Sequence, residues 1–274
     1  MIEIVKSTDE CREFAAEFYG DTQFSDPMLS NEEQFRHNLA NCIEKPGMHL
    51  ALGVYLNGQM IGLFTFLVIR EERYMEMLVG LSRVQAAYEE IFRYLEQYYP
   101  GYDVDFVFNP KNHILKQLLE VRAAEFEPEQ QKMVFVGPVL VVDTSGVELY
   151  SEKYEGAYMD IHNKDTYWTA EKVVAASDRF RVLVAIHEGN VVGYLDVTRC
   201  FDDNEPYDLL VLKEYRRMGY GRKLMFKALE LNRPKGMMLM VDVDRISAIQ
   251  LFESVGFEKV KNQNNLTAHW KVQK

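Results

Sequence analysis

The stretch "RRMGYGRKLM", residues 216–225, decides how this sequence is interpreted. The apolar run "YDLLVL" (207–212) before it is typical of a strand, and "GRKLMFKALELN" (221–232) has apolar residues at helical spacing. Gly219 and Gly221 let the backbone approach a ligand, and the first turn of a helix presents unpaired N–H groups at its positive end. Positive charge is added by Arg216, Arg217 and Arg222. The stretch therefore predicts an anion site suited to phosphate.

Two common phosphate-binding motifs do not occur here. The Walker A pattern GxxxxGK[ST] is absent from the sequence, and so is the dinucleotide fingerprint GxGxxG. The spacing Arg-x-x-Gly-x-Gly, from Arg216 to Gly221, instead resembles the pyrophosphate-binding loop of the GNAT superfamily of acyl-CoA-dependent N-acetyltransferases. The block "AIQLFESVGF" (248–257) is similar to a later helix of that family, which ends in Gly-Phe. With the preceding hairpin, the resemblance covers most of residues 147–274.

The resemblance implies an acetyl-CoA site. In the family, the strand before the loop offers backbone groups to the pantetheine arm, and the loop amides hold the pyrophosphate. The side chain of Arg216 then either contacts phosphate or braces the loop. Arg245 replaces the family's frequent Asn, and either reaches a CoA phosphate or lies in solvent. The residues implied to contact acetyl-CoA are Leu209, Leu210, Val211, Arg216, Arg217, Met218, Gly219, Tyr220, Gly221, Arg222, Arg245 and Phe252.

The resemblance also implies catalytic residues, because direct acyl transfer to an amine benefits from a general base and a general acid. Many members carry the base on the strand before the loop, which implies Glu205, with Asp208 as the second candidate. The alternative is that both are ordinary carboxylates at a strand edge. The usual acid is a Tyr where Phe252 stands, and Phe252 has no proton to give. Solvent, Tyr220 or another Tyr would then protonate the thiolate, or acetyl transfer is weak or absent.

The two halves of the chain carry similar sequence patterns in the same order. "VYLNGQMIGLFTF" (54–66) and "VAIHEGNVVGYLDV" (184–197) both predict a hairpin, with corresponding glycines 131 residues apart. A later strand–helix–strand block recurs at nearly the same offset, with Asn112 where the family's Asn would be. The first half, however, has "LSRVQAAY" (81–88) in place of a Gly-x-Gly loop. A duplicated fold with a degenerate first copy is therefore expected.

The predicted fold class is α+β, with two tandem GNAT-like domains, each a mixed, mostly antiparallel sheet flanked by helices. Gly137-Pro138 breaks the chain between the halves. The predicted domains are residues 1–137, the degenerate copy, and residues 138–274, the acetyl-CoA-binding copy. The acceptor is expected to enter opposite acetyl-CoA, between residues 150–168 and the loop "KNQNNLTAH" (261–269).

Composition narrows the partners and the compartment. A net charge of −11 over 274 residues argues against a nucleic-acid-binding face and permits a cationic substrate. Three widely spaced cysteines and six histidines without paired spacing predict neither a disulfide framework nor a metal site. The N-terminal "MIEIVKSTDE" lacks the apolar core of a signal peptide, and no apolar run is long enough to cross a bilayer. A cytoplasmic monomer or homodimer is expected.

These observations predict an N-acetyltransferase that moves an acetyl group from acetyl-CoA to a primary amine, on a small molecule rather than a protein. A longer acyl donor stays open. The alternative is a non-catalytic acyl-CoA-binding sensor or docking module, which Phe252 and the decayed first half motivate. A third hypothesis, aminoacyl transfer from tRNA on a related doubled fold, conflicts with the acidic charge.

Overall fold

The structure is a computed structural model that describes residues 1–24, 36, 39–43 and 48–273. Backbone contacts divide the chain into two compact units. The first unit comprises residues 1–131 and 261–274, and the second comprises residues 132–260. The predicted domains, 1–137 and 138–274, differ from these units at the C-terminus. The reason is that the last strand of the chain pairs with strands of the first unit.

The first unit is built on one seven-stranded sheet, with the strands numbered here along the whole chain. Its sheet order is β1-β2-β3-β4-β5-β15-β6, and every pairing is antiparallel except that of β4 with β5. The strands are β1 (Ile2–Ile4), β2 (His49–Leu56), β3 (Gln59–Ile69), β4 (Tyr74–Leu81), β5 (Asp103–Phe108), β6 (Glu125–Phe126) and β15 (Leu266–Lys271). The helices are α1 (Arg12–Ala16), α2 (Gln85–Tyr98) and α3 (His113–Val121).

Local sequence explains these elements. The predicted first hairpin is confirmed: β2 and β3 meet at Asn57 and Gly58, whose φ angles of +51° and +80° suit a tight turn between right-twisted strands. In β4, alternate side chains are buried, as expected for a strand with one face on a core. Helix α2 packs one face against the sheet, because its buried residues recur at helical spacing: Ala87, Tyr88, Ile91, Phe92 and Leu95.

The second unit holds two four-stranded sheets and four helices. Its strands are β7 (Gln130–Phe135), β8 (Val147–Leu149), β9 (Phe180–His187), β10 (Asn190–Thr198), β11 (Asp203–Asn204), β12 (Pro206–Val211), β13 (Gly236–Asp242) and β14 (Phe257–Lys259). Its helices are α4 (Glu155–Ile161), α5 (Ala170–Ala175), α6 (Tyr220–Asn232) and α7 (Ile246–Val255). The sheet orders are β12-β10-β9-β8 and β11-β13-β7-β14.

The two sheets of the second unit meet at β12 and β13. Strand β12 pairs with β10 along one edge, and β13 belongs to the other sheet. In the described part of the chain, β12 and β13 contact each other but form no strand pair. The edge of β12 that faces away from β10 therefore keeps backbone N–H and C=O groups that no neighbouring strand uses.

Both helices predicted for the second half are confirmed. Helix α6 buries Leu224, Met225, Ala228 and Leu229, which are residues of its predicted apolar face. Helix α7 ends at Gly256, whose φ of +104° makes it a left-handed C-cap. None of the helices in the described ranges combines the length and the apolar character needed to span a membrane.

Candidate active site

The Gly-x-Gly stretch forms the junction between β12 and α6. Helix α6 begins at Tyr220, and Gly219 precedes it at a φ of +89° with open space where a Cβ would stand. No side chain from the described residues caps this helix end. Because the first N–H groups of a helix have no partner within it, the first turn of α6 can bind an anion.

A cavity of about 760 Å³ opens at this helix end. Ten of the twelve residues implied to contact acetyl-CoA line it: Leu209, Leu210, Val211, Arg216, Arg217, Gly219, Tyr220, Gly221, Arg222 and Arg245. The other two do not. Met218 is 54% exposed within the loop, and Phe252 is 93% buried in the core, where its ring packs on that of Phe257.

The cavity also has lining residues that sequence reasoning did not name. Tyr215 precedes the loop, and Asn163 follows α4. The others come from the turn before α7 and from α7 itself: Asp244, Ile246, Ser247, Ala248 and Leu251. Ala248 and Leu251 lie in the block 248–257 that carried the family resemblance, so the block predicted part of the wall. No motif in the sequence predicted Asn163, because its position in the cavity wall depends on how α4 packs.

The arginines of the site have distinct contacts. Arg216 Nε donates a hydrogen bond to the carbonyl oxygen of Val211 at 2.9 Å, so this side chain braces the loop against the end of β12. Arg245 forms an ion pair with Asp242 at 2.7 Å, and its side chain is 71% exposed. The Arg222 guanidinium lies 5.4 Å from the centre of the Phe226 ring.

Glu205, the first candidate for the base, lies between β11 and β12, where the two sheets meet. Its backbone N–H donates to Thr198 Oγ1 at 2.7 Å, which fixes the chain there. Burial raises the pKa of the Glu205 carboxyl to about 7, although a hydrogen bond from the Met240 amide and the charge of Arg179 act in the opposite direction. A carboxyl with this pKa can take a proton at neutral pH. It is not among the residues that line the cavity.

Asp208, the second candidate, does line the cavity. Its Oδ2 accepts a hydrogen bond from the Tyr194 hydroxyl at 2.7 Å. The same hydroxyl oxygen accepts a hydrogen bond from the Asn163 N–H at 2.9 Å. The Tyr194 side chain is fully buried and stacks on the ring of His162.

Behind Asp208 lies a buried pair, His162 and Asp196. His162 Nε2 is 2.9 Å from Asp196 Oδ2, and His162 Nδ1 donates to the Asn163 carbonyl at 2.7 Å. Tyr158 donates to the other oxygen of Asp196 at 2.8 Å. Burial lowers the pKa of His162, but the hydrogen bonds to Asp196 and Asn163 outweigh it and place the pKa above its ordinary value. In the structure, both ring nitrogens of His162 therefore have a hydrogen-bond partner.

Tyr220, a candidate acid, has a partner outside the cavity wall. Its hydroxyl lies 2.7 Å from Nδ1 of His187, the last residue of β9. Phe252 offers no hydroxyl, as the sequence indicates. The structure therefore shows the Tyr220 hydroxyl in a hydrogen bond at the end of a strand, with its ring on the cavity wall.

The corresponding region of the first unit is closed. Strands β4 and β5 pair from Tyr74 to Met77, and β4 then continues unpaired with β5 to Leu81. Gln23 and Phe24 lie at the opening between them, where the remaining cavity is about 10 Å³. Asn109 Nδ2 holds this segment by donating to the Thr22 carbonyl at 2.6 Å.

In the first unit, two side chains near the position that corresponds to the anion site bind other residues of the same unit. Arg83 binds Asp21 through Nε at 3.1 Å and Nη2 at 2.7 Å, and its guanidinium lies over the Phe18 ring. Asn112, at the position of the family's Asn, caps α3 by accepting from the Leu115 N–H, and donates to Tyr88. Both side chains therefore serve the packing of their own unit.

Comparison with known proteins agrees with this geometry. The family profile described as "Acetyltransferase (GNAT) domain" matches residues 178–259, which include the loop, the cavity strand β12 and both cavity helices. Residues 178–259 therefore match the GNAT acetyltransferase family. No curated relative matches the chain in sequence.

Solved structures share the fold across the whole chain. A GCN5-related N-acetyltransferase from Sphaerobacter thermophilus is 12% identical with a TM-score of 0.65, and the match covers 100% of this chain and 96% of the other. A tandem GNAT protein from the clavulanic acid biosynthesis pathway is 12% identical with a TM-score of 0.59, covering 100% and 99%. The predicted fold class, two tandem GNAT-like domains, is confirmed by these neighbours.

Proposed function

We propose that this GNAT protein is an N-acetyltransferase that moves an acetyl group from acetyl-CoA to a primary amine by direct transfer. The observation that carries the proposal is the uncapped first turn of α6, which opens into a cavity of about 760 Å³ beside the unpaired edge of β12. One end of this cavity can bind a pyrophosphate, and the strand edge offers backbone groups to an extended arm.

The residues present fit acetyl-CoA. Arg217 and Arg222 line the cavity beside the helix end and supply charge that complements phosphate. Arg216 acts mainly as a brace, because its Nε bond to Val211 holds the loop in place. Leu209 and Val211 present the strand edge to the pantetheine arm. Bound acetyl-CoA supplies the thioester from which the acetyl group leaves.

Glu205 is the proposed general base. The ammonium form of a primary amine must lose a proton before its nitrogen can attack a thioester, and a carboxyl with a pKa of about 7 holds a useful fraction of its ionised form at neutral pH. Because Glu205 does not line the cavity, it would take the proton through a bridging water molecule. The hydrogen bond from Met240 and the charge of Arg179 stabilise the ionised form and keep it available.

The leaving thiolate is proposed to take its proton from solvent. Phe252 has no acidic proton, and the Tyr220 hydroxyl is hydrogen-bonded to His187. The first unit is proposed to serve as a degenerate scaffold without acetyl-CoA, since Gln23 and Phe24 occupy its strand opening. We propose a small-molecule acceptor, a cytoplasmic location, and a monomer or homodimer.

The second candidate function is a non-catalytic acyl-CoA sensor. Phe252 favours it, because a buried phenylalanine stands where the family usually has an acid. Both functions need acetyl-CoA binding, so binding alone does not separate them. Release of free thiol from acetyl-CoA in the presence of primary amines does, since a sensor would bind without turnover.

The test of acetyl-CoA binding is a calorimetric titration of the wild-type protein and Gly219→Glu. We expect one site per chain, and loss of that site in the variant, because the new carboxylate stands at the anion end of α6. The matched control is Gly189→Glu: Gly189 has a similar φ of +84° and equally open surroundings, but it lies in the β9–β10 turn. No binding to wild type at millimolar acetyl-CoA, or equal loss in both variants, would overturn the proposal.

A further inference from the structure

Asp208 is a carboxylate in the cavity wall with one polar partner that fixes its direction. The side chain is half-buried, and its Oδ2 accepts from the Tyr194 hydroxyl at 2.7 Å. The ion pairs within the described ranges leave Asp208 without a lysine or arginine partner. A carboxylate that faces a cavity without a cation is suited to bind one from a ligand.

Tyr194 has a single way to orient its hydroxyl. Its oxygen accepts the Asn163 N–H at 2.9 Å, so its own proton points to Asp208. The ring cannot turn away, because it is fully buried and stacks on the His162 ring with centroids 4.8 Å apart and planes 14° apart. Tyr194 therefore positions the Asp208 carboxylate rather than responding to it.

The charge of the group behind Asp208 follows from the hydrogen bonds. His162 Nδ1 faces a carbonyl oxygen, so it carries a proton. His162 Nε2 and Asp196 Oδ2 are 2.9 Å apart and share one further proton, so the pair is neutral wherever that proton lies. The pair does not cancel the charge of Asp208. The net negative charge of the cluster therefore stays on the residue that faces the cavity.

We propose that Asp208 binds a positively charged group of the acceptor, with Tyr194 as its positioning residue. The inference rests on the proposed function and adds to it a substrate class: acceptors that carry an ammonium group besides the amine that receives the acetyl group. Glu205 remains the base, and Asp208 acts as the anchor that holds the acceptor in the cavity. A neutral acceptor of the same shape would lose this contact.

The same three side chains offer ligand types that a metal ion uses. The ligand atoms of His162, Asp196 and Asp208 lie within 4.8 Å of one another. Each of these side chains, however, already has a hydrogen-bond partner. Asp196 is bonded to Tyr158 and to His162, and Asp208 accepts a hydrogen bond from Tyr194. These hydrogen bonds favour a cluster that is held together by shared protons. The experiment must nevertheless be able to detect a bound metal ion.

The experiment is an NMR titration of CoA-loaded protein with 1,5-diaminopentane, using 1,5-pentanediol as the uncharged match. We expect the diamine to bind wild type more tightly than the diol. Asp208→Asn keeps the shape and the acceptor for Tyr194 but removes the charge, so the dissociation constant should rise about tenfold. Tyr194→Phe should raise it by roughly half that factor, because the carboxylate stays but is no longer held.

Tyr158→Phe is the matched control. It removes a hydroxyl that is equally buried and also donates to a carboxylate, but that carboxylate is Asp196. We expect the diamine affinity of Tyr158→Phe to stay within about twofold of wild type, because the phenylalanine ring keeps the contacts that the Tyr158 ring makes with His162 and Tyr194. Equal weakening in Tyr158→Phe and Tyr194→Phe would overturn the positioning role.

Three other results would overturn the anchor itself. They are diamine binding that is unchanged in Asp208→Asn, wild type that binds the diamine no better than the diol, and a stoichiometric metal in wild type that His162→Ala loses. Acetyl-CoA titration of the same proteins keeps the two proposals apart. If acetyl-CoA binds and the diamine effect is missing, the inference fails alone. If acetyl-CoA does not bind, the proposed function fails.

Discussion

The Nε atom of Arg216 lies 2.9 Å from the carbonyl oxygen of Val211, so the first residue of the Arg-x-x-Gly-x-Gly loop is tied to the last residue of the cavity strand. This contact couples the loop conformation to the strand edge. The family resemblance left open whether this arginine contacts phosphate or braces the loop. The observed bond supports the bracing role, and whether Arg216 also contacts phosphate stays a prediction.

Substitution of Arg216 is expected to weaken acetyl-CoA binding without unfolding the protein. Arg216→Ala should raise the dissociation constant by about tenfold, since both a charge and the brace are lost. Arg216→Lys should recover part of the effect, because it restores the charge without the planar Nε–H donor. Calorimetry measures both.

The matched control for Arg216 is Arg233→Ala. Arg233 also donates to a backbone carbonyl, that of Val139 at 2.6 Å, but it does not line the cavity. Its acetyl-CoA affinity should equal that of wild type. Weakening of the same size in Arg233→Ala would mean that loss of any such brace perturbs the unit, and the specific role of Arg216 would be contradicted.

The pH dependence of acetyl transfer should report Glu205. Its pKa is raised by burial to about 7, and the ionised form is the one that accepts a proton. The ratio kcat/KM is therefore expected to rise with pH through about 7 and to level off above it. Glu205→Gln should lower the rate by about a hundredfold or more and remove this limb of the profile. An unchanged limb in Glu205→Gln would assign it to another group.

Glu205 is also expected to lower the free energy of unfolding above neutral pH. Because the folded-state pKa is raised from 4.5 to about 7, its stabilising proton is fully bound below pH 4.5 and is lost as pH rises through 7. Glu205→Gln should therefore raise the free energy of unfolding more at pH 8 than at pH 5.5, by about 2 kcal/mol. Urea unfolding at both values measures the difference. Glu258→Gln, at an exposed position, should show no such change.

Much of the proposed acetyl-CoA site could be predicted from local sequence. A glycine before a helix and arginines around it specify an anion site through backbone conformation and charge, and both are properties of a short stretch. The same holds for Gly256, which ends α7 where the pattern predicts. Phe252 was implied to contact acetyl-CoA from its position in a motif. It turns inward instead, because a phenylalanine without a polar partner is more stable in the core.

The cluster behind Asp208 could not be predicted in the same way. Tyr194 and Asp196 meet His162 only because β10 packs against α4, which is far away in sequence. One signal existed: "VVGYLDV" (191–197) is a fully buried strand with an aspartate inside it, and buried charges require partners. The pairing of the last strand, β15, with β5 and β6 could not be predicted either. The sequence of β15 is that of an ordinary strand, and its partners depend on how the whole sheet assembles.

The closure of the first unit leads to a prediction about stoichiometry. Arg83→Ala removes the contacts with Asp21 and Phe18, and should lower the free energy of unfolding by about 1 kcal/mol, since the arginine is partly exposed. Hydrogen exchange should increase in residues 17–24. Acetyl-CoA should still bind at one site per chain, because the segment 81–88 has no Gly-x-Gly. A second site in this variant would show that the closure alone blocks binding.

Gly193 of β10 lies opposite Val211 of the cavity strand. A Cβ there would stand 2.6 Å from the Leu210 carbonyl oxygen and 3.2 Å from Val211 Cα. Both are backbone atoms, so β12 would have to move. Gly193→Ala should lower the free energy of unfolding by about 2 kcal/mol and weaken acetyl-CoA binding, because the displaced strand is the cavity wall.

Gly156→Ala provides the contrast for Gly193→Ala in the same unit. Gly156 lies in α4 with open space around its Cβ position, so the same change should stabilise the helix by about 1 kcal/mol. Thermal unfolding and acetyl-CoA calorimetry of the two variants should therefore move in opposite directions for stability, and acetyl-CoA affinity should fall only in Gly193→Ala. If Gly193→Ala binds acetyl-CoA like wild type, the position of β12 does not control the site.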